Sequence, residues 1–151
     1  MAAASLVLVG AVGWLHPAWD GTFYPDDLPA DWRLSYYNTQ FQAVYLPASF
    51  WQAVSADTWR TWLDDTLDGF HFLLEPGDPA AAAPVSPRVV LATPAWQSRH
   101  AWWLDEAPDP RGLAQRITTQ AATGEPLYVI SRSGDLAAMQ QAATLSQVLG
   151  Y

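Results

Sequence analysis

The chain has 151 residues and contains neither cysteine nor lysine. Without cysteine it has no disulfide, no thiolate zinc site, no iron–sulfur cluster and no thiol nucleophile. Without lysine it lacks both a Schiff-base amine and the lysine of a phosphate-binding loop. These two absences exclude several large classes of enzyme.

Positive charge is scarce, because seven arginines face 15 acidic residues and the formal net charge is −8. Nucleic-acid-binding proteins have basic patches, so we expect no nucleic-acid partner. No apolar run approaches the roughly 18 residues that cross a bilayer, so we expect no membrane partner. The apolar start at Met1 has no basic region, since the first basic residue is Arg33. We therefore expect a soluble, cytoplasmic protein rather than one with a signal peptide.

Apolar residues make up 50% of the chain, and nine of the 151 residues are tryptophan. The apolar content predicts that this tryptophan-rich, acidic chain folds into a compact domain. Its length fits one domain over residues 1–151. Five apolar runs bounded by glycine, proline or polar residues are typical of strands. They cover residues 6–12, 42–46, 70–75, 88–93 and 126–131.

Helical patterns separate most of these strands. Asp31 is predicted to begin one helix, Ser55 or Asp57 a second, and Asp109-Pro110 a third. A last helix is predicted over residues 134–149. We interpret residues 76–87 as an irregular connector and residues 94–110 as a long loop that holds a short helix. The alternation predicts an α/β fold with a five-stranded parallel sheet.

Several aromatic motifs at fixed spacing resemble the start of the family called domain of unknown function 72. The segments that carry the resemblance are Gly10-Ala-Val-Gly-Trp, Trp19-Asp-Gly-Thr-Phe-Tyr-Pro, Trp32-x-x-x-Tyr36-Tyr37-x-x-x-Phe41, Phe50-Trp51 and Gly69-Phe-His-Phe. The spacing agrees over roughly residues 6–76, and residues 113–150 resemble the end of the family more weakly. The resemblance implies a TIM-barrel-like fold with its site at the carboxyl ends of the strands.

This chain departs from the family in length and in its polar residues. Family members have roughly 250 residues, so the resemblance implies a truncated barrel with the strand order 3-2-1-5-4. The family's polar positions align with other residues here, namely Ala11-Val12, Tyr45, Pro47, Glu75 and Ala92-Thr93. Its paired asparagines after the last strand have no match in Arg132-Ser133. The resemblance therefore implies a fold and a site location, and no particular reaction.

The candidate site lies where strands end and the following loops begin. We predict that its ligand-binding residues are Trp14, His16, Trp19, Asp20, Tyr24, Tyr45, Trp51, Glu75 and Arg132. Aromatic side chains at such a mouth line a pocket for a small ligand or a protein, or they plug the mouth of a shortened barrel. One hypothesis is a non-catalytic binding domain. The alternative is a residual, hydrolase-like enzyme that uses the polar groups of the same mouth.

No pattern predicts a metal or a cofactor. His16, His71 and His100 lie far apart in the chain and lack the spacing of metal ligands. Gly10 and Gly13 lack the third glycine and the acidic residue of a dinucleotide-binding fingerprint. Ser133 lacks the motif of a nucleophilic serine.

The exposed edges of a five-stranded sheet predict self-association. Unpaired strand edges act as templates for pairing unless they are covered. A second copy of the chain, or the segment 94–110 folding back, would cover them. We expect a homodimer with Trp102 or Trp103 as an anchor of the interface.

Overall fold

A computed structural model of the protein describes residues 6–107 and 109–151. Residues 1–5, where the segment considered above as a signal peptide begins, lie outside the described residues. Pro108, in the segment predicted as a long loop, also lies outside them.

The described chain forms strands that alternate with helices. The strands are β1 (Val7–Val12), β2 (Ala43–Leu46), β3 (His71–Leu74), β4 (Val89–Leu91), β5 (Ala101–Trp103) and β6 (Leu127–Ser131). The helices are α1 (Arg33–Asn38), α2 (Ala48–Trp51), α3 (Ala56–Asp64), α4 (Pro94–His100), α5 (Pro110–Thr123) and α6 (Leu136–Val148). Single 3₁₀ turns occupy Pro17–Trp19 and Ala30–Trp32.

The strands form one sheet in the order β4-β3-β2-β1-β6-β5. Pairing is parallel between β1 and β6, β2 and β3, β3 and β4, and β5 and β6. The predicted α/β fold with a parallel sheet is therefore confirmed, and β1 lies between two neighbours as its unbroken apolar run indicates. The predicted number of five strands and the order 3-2-1-5-4 are wrong.

The error in strand order arose in two segments. β4 pairs with β3, with Phe72 opposite Val89, whereas the prediction placed it beside the last strand. The irregular residues 75–88 are long enough to connect neighbouring parallel strands. The position beside β6 belongs to β5, whose three residues are too few to show a strand pattern in the sequence.

The chain divides into two compact units. Unit 1 combines the chain up to Val12 with residues 92–151, and unit 2 comprises residues 13–91. In unit 1, β1 and β6 are buried along almost their whole length and pack with α6. In unit 2, β2 is buried throughout, and β3 is buried except at His71.

Side-chain caps explain where several helices begin. Ser55 accepts a hydrogen bond from the N–H of Thr58 at the start of α3, as predicted. Asp109 accepts from the N–H groups of Arg111 and Gly112 at the start of α5, also as predicted.

Two predicted helix starts were misplaced. Asp31 does not cap α1, because the 3₁₀ turn Ala30–Trp32 precedes that helix and Trp32 occupies the capping position. The final helix begins at Leu136 rather than residue 134, with Asp135 accepting a hydrogen bond from Ala138. In the described part of the chain, no helix combines the length and the apolarity that a membrane span requires.

Candidate functional site

An aromatic core forms between the loop after β1 and helix α1 in unit 2. The ring of Trp19 lies 5.9 Å from that of Tyr37, nearly parallel to it, and 5.3 Å from that of Phe23. Tyr37 donates a hydrogen bond of 2.6 Å to the carbonyl of Ala43, at the start of β2. Trp19 and Tyr37 are both buried, so Trp19, one of the predicted mouth tryptophans, packs in the core beside α1.

Tyr24 joins this core to a buried polar contact. Its hydroxyl donates a hydrogen bond of 2.6 Å to the carbonyl of Trp14. The guanidinium of Arg33 lies 5.0 Å from the centre of the Tyr24 ring and binds the carboxylate of Asp20 at 2.5 Å. Burial raises the pKa of Tyr24, a shift that Arg33 opposes and Asp20 reinforces. Tyr24 is therefore a neutral hydrogen-bond donor at neutral pH.

A second aromatic group surrounds Trp62. The Trp62 ring stacks on that of Phe50 at 5.8 Å and meets that of Trp14 edge to face at 4.9 Å. Trp59 contacts both Trp62 and Phe72, at 5.1 and 5.4 Å between ring centres. Trp14 thus packs in the same group as the tryptophans that the helical spacing of α3 assigns to the core.

Glu75 follows β3 and holds the start of α2. Its carboxylate accepts a hydrogen bond of 3.1 Å from the N–H of Ala48, and its carbonyl accepts one of 2.8 Å from the indole of Trp51. These contacts fix the loop after β2 to the end of β3. Glu75 and Trp51 therefore share a structural role.

Gly13 lets the chain turn sharply after β1. Its φ of 72° lies in the left-handed region that glycine adopts without strain. In this conformation its N–H donates a hydrogen bond of 2.9 Å to the carbonyl of Tyr45. Gly21 has a similar φ of 73°, and a Cβ there would approach Asp26 Oδ1 to 2.5 Å.

Arg132 lies in unit 1, after β6. Its guanidinium lies 4.1 Å from the centre of the Trp103 ring and 3.7 Å from the carboxylate of Glu106. The backbone N–H of Arg132 donates to Asp105, which also accepts hydrogen bonds from the N–H and hydroxyl of Ser133. Burial raises the pKa of Asp105, but these hydrogen bonds outweigh it and hold the pKa below its usual value. The Ser133 hydroxyl is thus bound to a carboxylate.

The nine predicted site residues divide by unit and by exposure. Eight lie in unit 2, and Arg132 lies in unit 1. Five aromatic side chains expose 5% or less of their surface, namely those of Trp14, Trp19, Tyr24, Tyr45 and Trp51. Asp20, Glu75 and Arg132 are exposed, and His16 is half-buried against Trp19, with 4.4 Å between the ring centres.

The histidines occupy separate surroundings. His100 Nδ1 lies 3.1 Å from the carbonyl of Pro126. Burial lowers the pKa of His71. Within residues 6–107 and 109–151, no group of three or more His, Asp or Glu side chains is arranged to hold a metal ion.

Two surface grooves lie away from all nine predicted residues. The larger, about 900 Å³, runs along α5 and α6 in unit 1 and has mostly apolar walls that include Leu113 and Leu145. The smaller, about 480 Å³, runs along α1 in unit 2 and contains Trp32. Sequence reasoning missed Trp32 as a surface residue because its spacing with Tyr36 indicates a helix face packed on the core.

Sequence reasoning also missed the partners of the polar site residues. Arg33 and Asp105 are separated from Asp20 and Ser133 by 13 and 28 positions, so no local motif links them. The pairs Arg33–Asp20 and Asp105–Ser133 form only through tertiary structure, which the sequence pattern does not reveal.

The fold defines an α/β protein with a parallel sheet. A comparison with protein families adds a match over part of the chain. Residues 8–76, slightly less than half of the chain, match the family described as "Protein of unknown function DUF72". The resemblance predicted from the aromatic motifs is thereby confirmed. No curated protein and no solved structure matches the chain.

Proposed function

We propose that the protein is a non-catalytic binding domain. The observation that carries this proposal is that polar groups of the predicted mouth are engaged in separate structural contacts. Asp20 is paired with Arg33, Tyr24 with the Trp14 carbonyl, and Glu75 with the N–H of Ala48. A hydrolase needs such groups to converge on one reacting atom.

The proposed ligand is another protein, which contacts the strand-end surface around Leu15, His16 and Asp20. This choice is supported by the burial of Trp14 and Trp19, whose rings fill the interior rather than line an opening. Leu15 is 53% exposed beside them, so it offers an apolar contact flanked by polar groups. Protein interfaces combine such apolar centres with polar rims.

A site-specific photocrosslinker tests this surface. p-Benzoylphenylalanine is placed at position 15 and, as a matched control, at position 67, where Leu67 is 72% exposed. We expect a crosslinked protein from position 15 only, in cells that express the chain. The purified partner should then bind Leu67→Arg normally and bind Leu15→Arg at least tenfold more weakly. Equal crosslinking from both positions, or equal binding by both variants, would contradict the proposal.

Hydrolase activity is the alternative, and it has its own test. We expect no turnover of chromogenic esters, phosphoesters or glycosides above the rate of an Asp20→Asn, Glu75→Gln double variant. Turnover by the native protein that this variant abolishes would favour the enzyme.

We further propose that two copies of the chain associate through an exposed strand edge. β5, which carries Trp102 and Trp103, lies at one end of the strand order. Both rings are half-buried and so retain surface for an interface. Light scattering at tens of micromolar protein should give twice the chain mass of 16.6 kDa. A monomer mass would contradict the dimer.

The proposed location is the cytoplasm, and nucleic acid is not among the proposed partners. A net charge of −8 supports the second statement, because it opposes binding to polyanions. Fluorescence imaging of the tagged 151-residue chain tests the location.

A further inference from the structure

The groove along α1 is open, small and lined by aromatic and acidic side chains. Its volume is about 480 Å³, and its walls include Leu28, Asp31, Trp32, Tyr36 and Asp65. This volume lies within the range of small-molecule sites, about 300–1,000 Å³. None of the strand-end residues invoked above lines it, so the groove is independent of the proposed protein-binding surface.

Trp32 is the most unusual of these side chains, because 64% of its surface is exposed. Within the described part of the chain, its indole N–H donates no hydrogen bond, and no other ring packs against it. A tryptophan usually buries most of its large apolar area and gives its N–H a partner. The exposed ring is therefore available to a ligand.

The two carboxylates of the groove also lack cationic partners. Asp31 and Asp65 are exposed and form no ion pair with any residue that the structure describes. The arginines near them in sequence and fold are used elsewhere. Arg33 binds Asp20, and Arg88 donates to the carbonyls of Leu63 and Leu67.

We propose that this groove binds a small organic cation of the quaternary ammonium class. A quaternary ammonium ion is attracted to the face of a tryptophan, and its alkyl groups replace water on the exposed ring. Tyr36 supplies a second, half-buried ring, and the carboxylates of Asp31 and Asp65 supply the opposite charge. The same carboxylates repel anionic ligands, so the groove selects for cations.

Titration of the protein with choline chloride tests the proposal. Choline carries a trimethylammonium group, and 3,3-dimethyl-1-butanol is its neutral isostere of nearly equal shape. The readout is the indole N–H region of the ¹⁵N–¹H spectrum, in which the Trp32 signal is identified by its loss in Trp32→Phe. We expect saturable movement of this signal with choline, with a dissociation constant on the order of a millimolar. The isostere should bind at least tenfold more weakly.

Matched variants separate the proposed charge effect from a general effect of acidity. Asp65→Asn should weaken choline binding about threefold or more, whereas Asp64→Asn, which alters a neighbouring exposed carboxylate outside the groove, should leave it unchanged. Trp32→Ala should abolish saturable binding, measured by calorimetry. Thermal unfolding of each variant shows that it is folded, and a variant that is not folded is replaced by Trp32→Leu or Asp31→Asn.

Three outcomes would overturn the proposal. They are no saturable shift up to about 20 mM choline, equal binding of the neutral isostere, and equal effects of Asp64→Asn and Asp65→Asn. Leu15→Arg should bind choline normally. The protein-binding proposal and this one therefore fail separately.

Discussion

The hydroxyl of Tyr24 makes a contact that few side chains could replace. It is fully buried and donates to the Trp14 carbonyl at 2.6 Å, which joins the loop after β1 to the aromatic core of unit 2. A buried carbonyl that loses its donor is left without any hydrogen bond, because water cannot reach it, and this is energetically unfavourable. This one atom therefore links the position of the loop to the stability of the unit.

Replacing Tyr24 with phenylalanine should destabilise the protein by about 1–3 kcal/mol, because the change removes the hydroxyl and leaves the carbonyl unpaired. Urea unfolding followed by tryptophan fluorescence measures the loss. Tyr36→Phe is the control, since Tyr36 is half-buried and the structure shows no hydrogen bond from its hydroxyl. Similar losses in the two variants would show that the contact with Trp14 contributes little.

The raised pKa of Tyr24 also predicts how stability changes at high pH. Burial raises this pKa above the ordinary value of about 10, so the unfolded chain ionises first. The contribution of Tyr24 to the free energy of unfolding is therefore fully present below about pH 10 and is lost as the pH rises above about 10. The chain has no lysine or cysteine, so tyrosines are the only side chains that titrate there.

Unfolding free energies measured between about pH 9 and pH 11 should fall more steeply for the native protein than for Tyr24→Phe. Tyr128, whose pKa burial also raises, contributes equally to both proteins. If the free energies of unfolding of the two proteins fall equally with pH, the pKa of Tyr24 is not raised by burial as predicted.

At the scale of elements, a single arginine closes the end of helix α3. Arg88 precedes β4, and its guanidinium donates to the carbonyls of Leu63 and Leu67 and to the hydroxyl of Thr66. The last carbonyls of a helix have no partner within it, and a cation there also meets the negative end of the helix dipole. Arg88 thus fixes the start of β4 to the end of α3.

Arg88→Met should therefore lower stability by about 1–3 kcal/mol, since the carbonyls of Leu63 and Leu67 lose the hydrogen bonds that Arg88 donates. Arg60→Met is the matched control, because Arg60 is exposed and pairs only with Asp57 at 3.2 Å on the same helix. That change should cost no more than about 0.5 kcal/mol. Chemical unfolding of both variants makes the comparison, and equal losses would contradict the capping role.

Elements were predictable where a residue carries a local signal. Asp109-Pro110 marks the start of α5, and Gly124, with its φ of 71°, marks the end. β5 was missed because a strand of three residues is too short to show a periodic pattern. β4 was misplaced because the sequence of the connector before it does not reveal which strand it pairs with. Of the nine predicted site residues, eight lie in unit 2. Whether an aromatic side chain there is buried or open depends on partners such as Tyr37, which sequence spacing does not reveal.

At the scale of the whole molecule, the two ends of the chain build one unit. β1 pairs with β6 over five residue pairs, from Val7 opposite Leu127 to Ala11 opposite Ser131. Both strands are largely buried, and α6 packs on both. We therefore expect β6 to depend on its pairing with β1, so that a substitution in β1 also weakens the structure of β6.

Val9→Ala tests this dependence, because Val9 is 2% exposed and lies opposite Val129 at the middle of the pair. Removing two buried methyl groups should cost about 1–3 kcal/mol through lost burial and the cavity that remains. Hydrogen exchange should then show faster exchange at the amides of β6. Val85→Ala, at a fully exposed position of unit 2, should leave that exchange unchanged. Unaltered protection of β6 in Val9→Ala would mean that β6 and its helices hold their structure without support from β1.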